Sequence, residues 1–212
     1  MADLNAIYEA VIEGDAPKVK GLTEQAVADG EDAQKVLQES LIRAMSEVGR
    51  RMKAQEFYVP EVLIAARAMQ WGLGVLKPLL AGSGLEPVGT VAIGTVKSDL
   101  HDIGKNLVGM MLEGAGFEVI DLGTDVMPEK FLAAVKDKGA NVIGMSALLT
   151  TTMPNMKKAI DALKEAGLRD QVKVLVGGAP VTQRYADEIG ADAYAPDAST
   201  AVDAAKAVLR AG

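Results

Sequence analysis

Apolar residues follow a helical period in the first part of the chain and form short continuous runs in the remainder. In the first part they are spaced three or four apart, which is the spacing of one helix face. Four such stretches begin near Leu4, Pro17, Val36 and Pro60, with short breaks between them. The pattern therefore predicts a small antiparallel four-helix bundle.

A segment from Lys77 to Pro87 is rich in helix-breaking Gly, Pro and Ser and is expected to be a linker. After it, runs rich in Val and Ile alternate with amphipathic stretches. The runs that fit β-strands lie at residues 88–96, 117–122, 141–146, 172–176 and, more weakly, 191–195. The stretches that fit helices lie at about 103–115, 128–138, 154–166, 180–189 and 199–210.

This alternation is typical of a doubly wound parallel sheet. The predicted fold class is therefore α plus α/β. A four-helix bundle cap is expected in residues 1–84, followed by a five-stranded Rossmann- or flavodoxin-like domain in residues 85–212. Ligands of such sheets bind beyond the carboxyl ends of the strands. Functional residues are therefore expected in the loops that follow the strands.

Charge and cysteine content exclude several classes of function. The 29 acidic and 22 basic residues give a net charge of −7, the opposite of a nucleic-acid or anionic-membrane binder. Without cysteine, the chain cannot form disulfides, iron–sulfur clusters or a thiol nucleophile. No apolar run is long enough to span a membrane, and the first residues lack a signal-peptide pattern. We therefore expect a soluble cytoplasmic protein that binds neither nucleic acid nor membrane.

The single histidine of the chain, His101, follows the first predicted strand. Asp99 stands two residues before it and Gly104 three residues after it. A carboxylate in that position can accept the Nδ1–H and present Nε2 outward as a ligand or base. The glycine allows a bulky group to approach the backbone. The alternative without a function is a polar loop residue beside a carboxylate.

Two nucleotide-binding motifs fail at this loop. A P-loop requires glycine where Asp99 stands and Ser or Thr where Asn106 stands, and no G-x-G-x-x-G follows the strand. A bare metal ion requires three or four protein ligands, which one histidine and no cysteine do not readily supply. A metal held in a tetrapyrrole or corrin ring requires only an axial ligand, so haem and a corrinoid are the favoured hypotheses.

Three motifs, each after a predicted strand, resemble the cobalamin-binding signature D-x-H-x-x-G, S-x-L and G-G. Here they are Asp99-x-His101-x-x-Gly104, Ser146-x-Leu148 and Gly177-Gly178, separated by 41 and 28 residues. The helical segment 48–69 is similar to the cap that precedes this module in cobalamin-dependent methyl transfer. The chain therefore resembles the corrinoid methyl-carrier proteins of methanol, methylamine and O-demethylase-type methyltransferase systems, and the corresponding modules of methionine synthase.

The resemblance implies cobalamin or a related corrinoid, as methylcobalamin or cob(I)alamin, bound base-off with His101 as the axial cobalt ligand. Asp99 would hold His101, and Thr152 would complete the relay at a position where many members have Ser. The further cofactor-binding residues that it implies are Ser98, Leu100, Asp102, Ile103 and Gly104 in the histidine loop, Ser146, Leu148 and Thr150 along the slot for the nucleotide tail, Gly177 and Gly178 beside that tail, and Tyr194, Asp197 and Ala198 over its base.

In the cap, Met52, Val59 and Val62 match positions that shield the methyl-bearing face of the cofactor. The family usually has Phe where Met52 stands and Gly where Gln55 stands. These departures concern the detailed shape of the cap and not its expected role.

The implied function is a non-catalytic subunit that carries a methyl group on cobalt. It would receive the methyl group at a substrate-specific methyltransferase and deliver it at a second one to coenzyme M or tetrahydrofolate, with a reductive activating protein as a further partner. The sequence leaves the donor open among methanol, an amine, a betaine and an aryl methyl ether. It also leaves open the corrinoid variant and the oligomeric state.

Three alternatives belong to other classes: a cobalamin-dependent sensor or regulator, a cobalamin subunit of a mutase, and a cofactor-free response-regulator-like module. The sensors carry a Trp followed ten residues later by Glu-His, whereas Trp71 is followed there by Ala81-Gly82. The mutase modules usually work beside a barrel and lack this cap. A response-regulator-like module would need an acidic pocket where the D-x-H loop stands.

Overall fold

The computed structural model describes residues 3–80 and 87–210, and within them the chain is first entirely helical and then alternates strands with helices. The helices of the first part are α1 (Leu4–Glu13), α2 (Ala16–Ala28), α3 (Ala33–Val36), α4 (Arg43–Lys53) and α5 (Val59–Leu80). A π-helical segment, Leu37–Ile42, joins α3 to α4, so these two helices form one continuous rod. The four predicted helical segments are therefore confirmed.

Side-chain caps explain where the first three helices begin. The carboxylates of Asp3, Asp15 and Asp32 accept hydrogen bonds from backbone N–H groups of the first turn of α1, α2 and α3. The periodicity did not predict the π-helical segment. Within it, the buried Ser40 hydroxyl donates to the carbonyl of Val36 one turn earlier, a bond that competes with regular helix geometry.

The expected start of the linker at Lys77 is wrong, because α5 continues through Pro78 to Leu80. Pro78 cannot donate to the carbonyl of Gly74 one turn earlier, but this is a single lost bond and the helix runs only two residues beyond it. Leu76 is also fully buried and anchors this end of the helix. The rest of the expected linker, residues 81–86, lies outside the described residues.

The second part contains the strands β1 (Thr90–Thr95), β2 (Glu118–Asp121), β3 (Val142–Ser146), β4 (Lys173–Gly177) and β5 (Ala193–Ala195). Its helices are α6 (Ile103–Gly114), α7 (Pro128–Lys138), α8 (Pro154–Glu165), α9 (Gln183–Ile189) and α10 (Ala198–Arg210). The strands pair in parallel in the order β2-β1-β3-β4-β5. The predicted five-stranded parallel sheet is confirmed. The direction in which successive strands are added reverses between β1 and β3.

Both faces of the sheet are buried, which is why its strands appear as continuous apolar runs. In β4, Val174 and Val176 pack into the core formed with α7, α8 and α9, while Leu175 is buried outside that cluster. Successive side chains of a strand point to opposite faces, so Leu175 requires a cover on the other side. On that side α10 contacts β4 and β5.

The helical part and the sheet part are each compact by themselves. The exact boundary between residues 84 and 85 stays a prediction, because it lies in a segment that the structure does not describe.

Candidate functional site

Strand register brings the separate sequence motifs to one edge of the sheet. Thr95 pairs with Ser146, Ser146 with Gly177, and Gly177 with Ala195, all at the carboxyl ends of their strands. The loops that follow these four residues therefore leave the sheet side by side. Motifs that are 41 and 28 residues apart in sequence become neighbours for this reason.

Asp99 and His101 form the pair that the spacing predicted. The ring Nδ1 of His101 lies 2.7 Å from Asp99 Oδ1, and the backbone N–H of His101 donates to the same oxygen at 3.1 Å. A carboxylate acceptor at Nδ1 fixes the tautomer with the proton on that nitrogen. Nε2 is then left with its lone pair, and no hydrogen bond reaches it from any residue that the structure describes.

The second oxygen of Asp99 is held by the loop after β3. Oδ2 accepts hydrogen bonds from the backbone N–H of Leu148 and from the Thr152 hydroxyl, at 2.8 and 2.7 Å. Burial raises the pKa of this carboxyl group, but the hydrogen bonds from Leu148, Thr152 and His101 outweigh it, so the net pKa lies below its ordinary value. The side chain is fully buried and ionised, and it acts as a fixed anion behind the imidazole.

A second loop, which the sequence reasoning missed, holds the backbone around Asp99. Asp125, after β2, accepts the Ser98 N–H on its Oδ1 at 2.7 Å and donates its own N–H to the Asp99 carbonyl at 3.0 Å. Both Ser98 and Asp125 have positive φ, 66° and 52°. Such a conformation is uncommon for residues with a Cβ. Asp125 belongs to none of the three motifs. The one signal for it in the sequence is its place in a loop that follows a strand, where functional residues were expected.

Lys105 is also part of this edge. Its side chain is only 1% exposed, and its Nζ donates to both carboxylate oxygens of Asp121, at the end of β2, at 2.6 and 2.7 Å. It also donates to Asn106 Oδ1, and the Asn106 amide donates to Asp102 at 3.0 Å. The buried ammonium thus ties the first turn of α6 to the neighbouring strand.

Several large apolar side chains in the histidine loop and in the loops beside it are exposed. Leu100 is 73% and Ile103 is 80% exposed, and the His101 side chain itself is 52% exposed. Met127, Leu148 and Leu149, in the loops after β2 and β3, are also exposed. Met127 and Leu149 were not predicted as site residues. Exposed apolar side chains on loops that leave one edge of the sheet favour an apolar ligand or partner there.

The motif glycines do two different things. A Cβ on Gly178, whose φ is +125°, would overlap the carbonyl oxygen of Ala147, and a Cβ on Gly177 would lie 2.9 Å from the Ala195 carbonyl oxygen. These two glycines let adjacent strand ends approach each other. Gly104 differs, because a Cβ there would meet no described atom within 4 Å. It faces open space beside His101.

The remaining predicted residues of the sheet part lie at the ends of β3 and β5 and in the loops after them. Ser146 is half-buried at the end of β3, and Thr150 is exposed two residues beyond Leu148. Tyr194 packs on the core of the sheet. Asp197 accepts the Thr200 N–H at 2.7 Å and so caps α10, with Ala198 buried behind it.

The predicted cap residues lie in the helical part. Met52 is half-buried near the end of α4, Val59 is exposed at the start of α5, and Val62 is fully buried. The backbone of Gln55 adopts φ of 58°, a left-handed conformation that favours glycine. This is the position where the resembled family has glycine.

Two features are absent from the described ranges. Nowhere in residues 3–80 and 87–210 do three His, Asp or Glu side chains come together as ligands for an ion. The helices in the same ranges are all too short or too polar to cross a membrane.

The fold and the site define a parallel α/β ligand-binding protein with an aspartate-held histidine at the carboxyl edge of its sheet and an all-helical part before it. Comparison with known families is specific. A B12 binding domain model matches residues 89–206, and a second B12 binding domain model matches residues 3–77. The chain belongs to the family of B12-binding corrinoid proteins, as the motifs predicted.

Similar proteins extend over almost the whole chain. A corrinoid protein of Desulfitobacterium hafniense is 45% identical, covering 99% of this chain and 98% of its own. Dimethylamine corrinoid protein 3 of Methanosarcina mazei is 50% identical, covering 78% and 99%. The crystal structure of the methanol:cobalamin methyltransferase complex of Methanosarcina barkeri matches with a TM-score of 0.90 at 31% identity, covering 99% of this chain and 80% of that one.

Proposed function

We propose that this protein carries a methyl group on the cobalt of a corrinoid that is bound base-off, with His101 as the axial ligand. The observation that carries the proposal is the His101 ring. Its Nδ1 is fixed at 2.7 Å by the buried carboxylate of Asp99, while Nε2 is directed away from that bond amid exposed apolar side chains. A single neutral nitrogen on an apolar surface matches a metal that brings its other ligands in a macrocycle.

The residues present fit such a group. Leu100, Ile103 and Leu148 offer apolar contact to the macrocycle, and the open space beside Gly104 allows close approach to the start of α6. When bound, the corrinoid supplies a cobalt centre that accepts a methyl group and releases it again. Asp99 keeps the proton on Nδ1, so that Nε2 is available as a neutral donor.

We further assign the nucleotide tail to the space along β3 and β4. Ser146 and Gly177 are paired in register there, and Thr150 is exposed just beyond. Tyr194, Asp197 and Ala198, after β5, are proposed to close over the base of the tail. Ser98 and Asp102 are proposed to support the histidine loop. In the helical part, Met52, Val59 and Val62 are proposed to shield the methyl group.

The partners follow from the family. A substrate-specific methyltransferase is proposed to load the methyl group, a second methyltransferase to remove it, and a reductive activating protein to restore the cofactor, all in the cytoplasm. The 50% identity to a dimethylamine corrinoid protein supports an amine as the methyl donor. The acceptor, coenzyme M or tetrahydrofolate, is decided by the second enzyme.

The test is reconstitution with hydroxocobalamin, for the wild-type protein beside His101→Ala. We expect one corrinoid per chain by acid release, and an electron paramagnetic resonance spectrum of the cob(II)alamin form with nitrogen splitting from protein imidazole. Labelling the single histidine with ¹⁵N identifies that nitrogen, and His101→Ala is expected to lose it. Asp170→Ala, an exposed carboxylate far along the sequence, is the control and should match the wild type.

Failure to bind any corrinoid would overturn the proposal. Binding with the nitrogen of the cofactor's own base on cobalt, and no change of the spectrum on ¹⁵N labelling, would retain the corrinoid and refute the His101 assignment.

A further inference from the structure

Thr95 contacts the backbone of the histidine loop from inside the sheet. It is the last residue of β1, it is fully buried, and its hydroxyl donates to the His101 carbonyl oxygen at 2.8 Å. It lies outside the D-x-H-x-x-G motif, six residues before His101. Its hydroxyl therefore needs an explanation beyond the packing that a valine of the same shape would supply.

Thr95 is itself held rigidly. Its N–H donates to the Gly123 carbonyl at 3.0 Å, and its own carbonyl accepts the Val126 N–H at 2.9 Å. It is also paired in register with Ser146 of β3. The backbone of Thr95 is thus fixed by β3 on one side and by the loop after β2 on the other.

Both peptide groups of His101 are consequently hydrogen-bonded. Asp99 Oδ1 accepts the His101 N–H at 3.1 Å, and Thr95 donates to the His101 carbonyl at 2.8 Å. The bond between Asp99 and the ring Nδ1 constrains only one end of the imidazole. If the carbonyl were free, the peptide could rotate and the ring could tilt, which would redirect Nε2 and open the Nδ1 bond to Asp99 more often.

We propose that Thr95 is a positioning residue that sets the direction of His101 Nε2 by holding the His101 carbonyl. This inference rests on the proposed function for its consequence at cobalt, but the hydrogen bond itself belongs to the protein alone. It predicts that, without the Thr95 hydroxyl, the protein still binds the corrinoid but His101 is on cobalt in a smaller fraction of the molecules.

The experiment compares Thr95→Val, which keeps the shape and removes the hydroxyl, with Thr95→Ser, which keeps the hydroxyl. The matched control is Thr23→Val. Thr23 is also fully buried, and its hydroxyl also donates to a backbone carbonyl, that of Val19 at 2.7 Å in α2. Two readouts are taken: exchange of the His101 Nδ1 proton in the cofactor-free protein by nitrogen NMR, and the ratio of His-on to His-off cob(II)alamin by electron paramagnetic resonance.

The expected result for Thr95→Val is about a tenfold lower His-on to His-off ratio and about tenfold faster Nδ1 proton exchange, the size expected for one hydrogen bond. Thr95→Ser and Thr23→Val should resemble the wild type. The NMR signal needs no assignment by mutation, because the chain has one histidine.

The inference is refuted if Thr95→Val matches Thr23→Val in both readouts, or if Thr95→Ser shows the same loss as Thr95→Val. If Thr95→Val does not fold by circular dichroism, Thr95→Cys, which keeps a similar volume with a weaker donor, is measured in its place against the same criteria. If the wild-type protein itself shows no imidazole on cobalt, the proposed function fails. The exchange measurement still decides the role of Thr95 in that case.

Discussion

Thr152 donates its hydroxyl to Asp99 Oδ2 over 2.7 Å, on the side of the carboxylate opposite the oxygen that His101 shares between its ring and its backbone. The backbone N–H of Leu148 reaches the same Oδ2 at 2.8 Å. Every side of this buried anion therefore meets a donor. One carboxylate therefore joins the histidine loop to the loop that follows β3.

Replacement of Asp99 by Asn is expected to destabilise the cofactor-free protein by about 2 kcal/mol at pH 7, the cost of hydrogen bonds to a charged group. The amide has only one oxygen, so its NH₂ group must face either the two His101 donors or the donors at Oδ2. Urea unfolding followed by circular dichroism measures the change, with Asp170→Asn as an exposed control that should stay near the wild type.

The stability difference between the wild type and Asp99→Asn should also depend on pH, with a definite sign. The pKa of Asp99 is lowered in the folded protein, so its ionisation contributes stability that is present above its unfolded pKa, about 4. That contribution is lost as the pH falls through the lower folded value. The difference between wild type and Asp99→Asn should therefore shrink from pH 6 toward pH 3. A difference that stayed constant over this range would contradict the assignment of an ionised Asp99.

Two motif glycines are expected to separate folding from binding. Gly178→Ala should prevent folding of the sheet part or cost more than about 3 kcal/mol, because its Cβ overlaps the Ala147 carbonyl and its φ is +125°. Gly104→Ala should leave the stability unchanged or raise it by up to about 1 kcal/mol, because alanine is the better helix former. Its corrinoid affinity should nevertheless fall.

Thermal unfolding and titration with hydroxocobalamin measure the two effects on each variant. A Gly104→Ala protein with wild-type affinity would show that the open space beside His101 does not receive the cofactor.

Removing Asp121 should cost more stability than removing Lys105, although the two residues form one ion pair. Asp121→Ala leaves a buried ammonium without its carboxylate and is expected to cost about 2–3 kcal/mol. Lys105→Met keeps the buried stem, and Asp121, whose side chain is 54% exposed, regains water, so about 1 kcal/mol or less is expected.

Denaturant unfolding of the two variants tests this order. The control pair is Lys157 and Asp161, which has the same 2.6 Å separation but is exposed at both ends. Its single variants should each cost less than about 1 kcal/mol. Equal costs for Asp121→Ala and Lys105→Met would mean that burial of the ammonium does not decide the energetics.

Gln55→Gly should stabilise the helical part by about 0.5–1 kcal/mol, because φ of 58° costs a residue with a Cβ more than it costs glycine. The matched control is the preceding exposed residue, since Ala54 has φ of −76° and Ala54→Gly should lower stability instead. Fluorescence of Trp71, the single tryptophan, reports unfolding of this part. The prediction is wrong if both substitutions shift the midpoint in the same direction.

Local pattern was sufficient for the elements of this protein. Helical spacing and strand runs are properties of neighbouring residues, so the helices and the five strands followed from the sequence. Pro78 was the misleading signal, because a proline removes one hydrogen bond to the preceding turn and does not by itself mark the residue where a helix ends. The π-helical segment Leu37–Ile42 was not predicted, because the spacing of apolar residues does not distinguish it from an α-helix.

The sequence by itself determined the family, the Asp99–His101 pair and the order of the three motifs, because these depend on residue types at short spacings. Only the tertiary structure decided that Thr95 and Asp125 hold the histidine loop, that Lys105 is buried against Asp121, and that Met127 and Leu149 join the exposed apolar surface. These contacts form between strand ends that parallel register places side by side. Register is a property of the whole sheet, and no local stretch of sequence carries it.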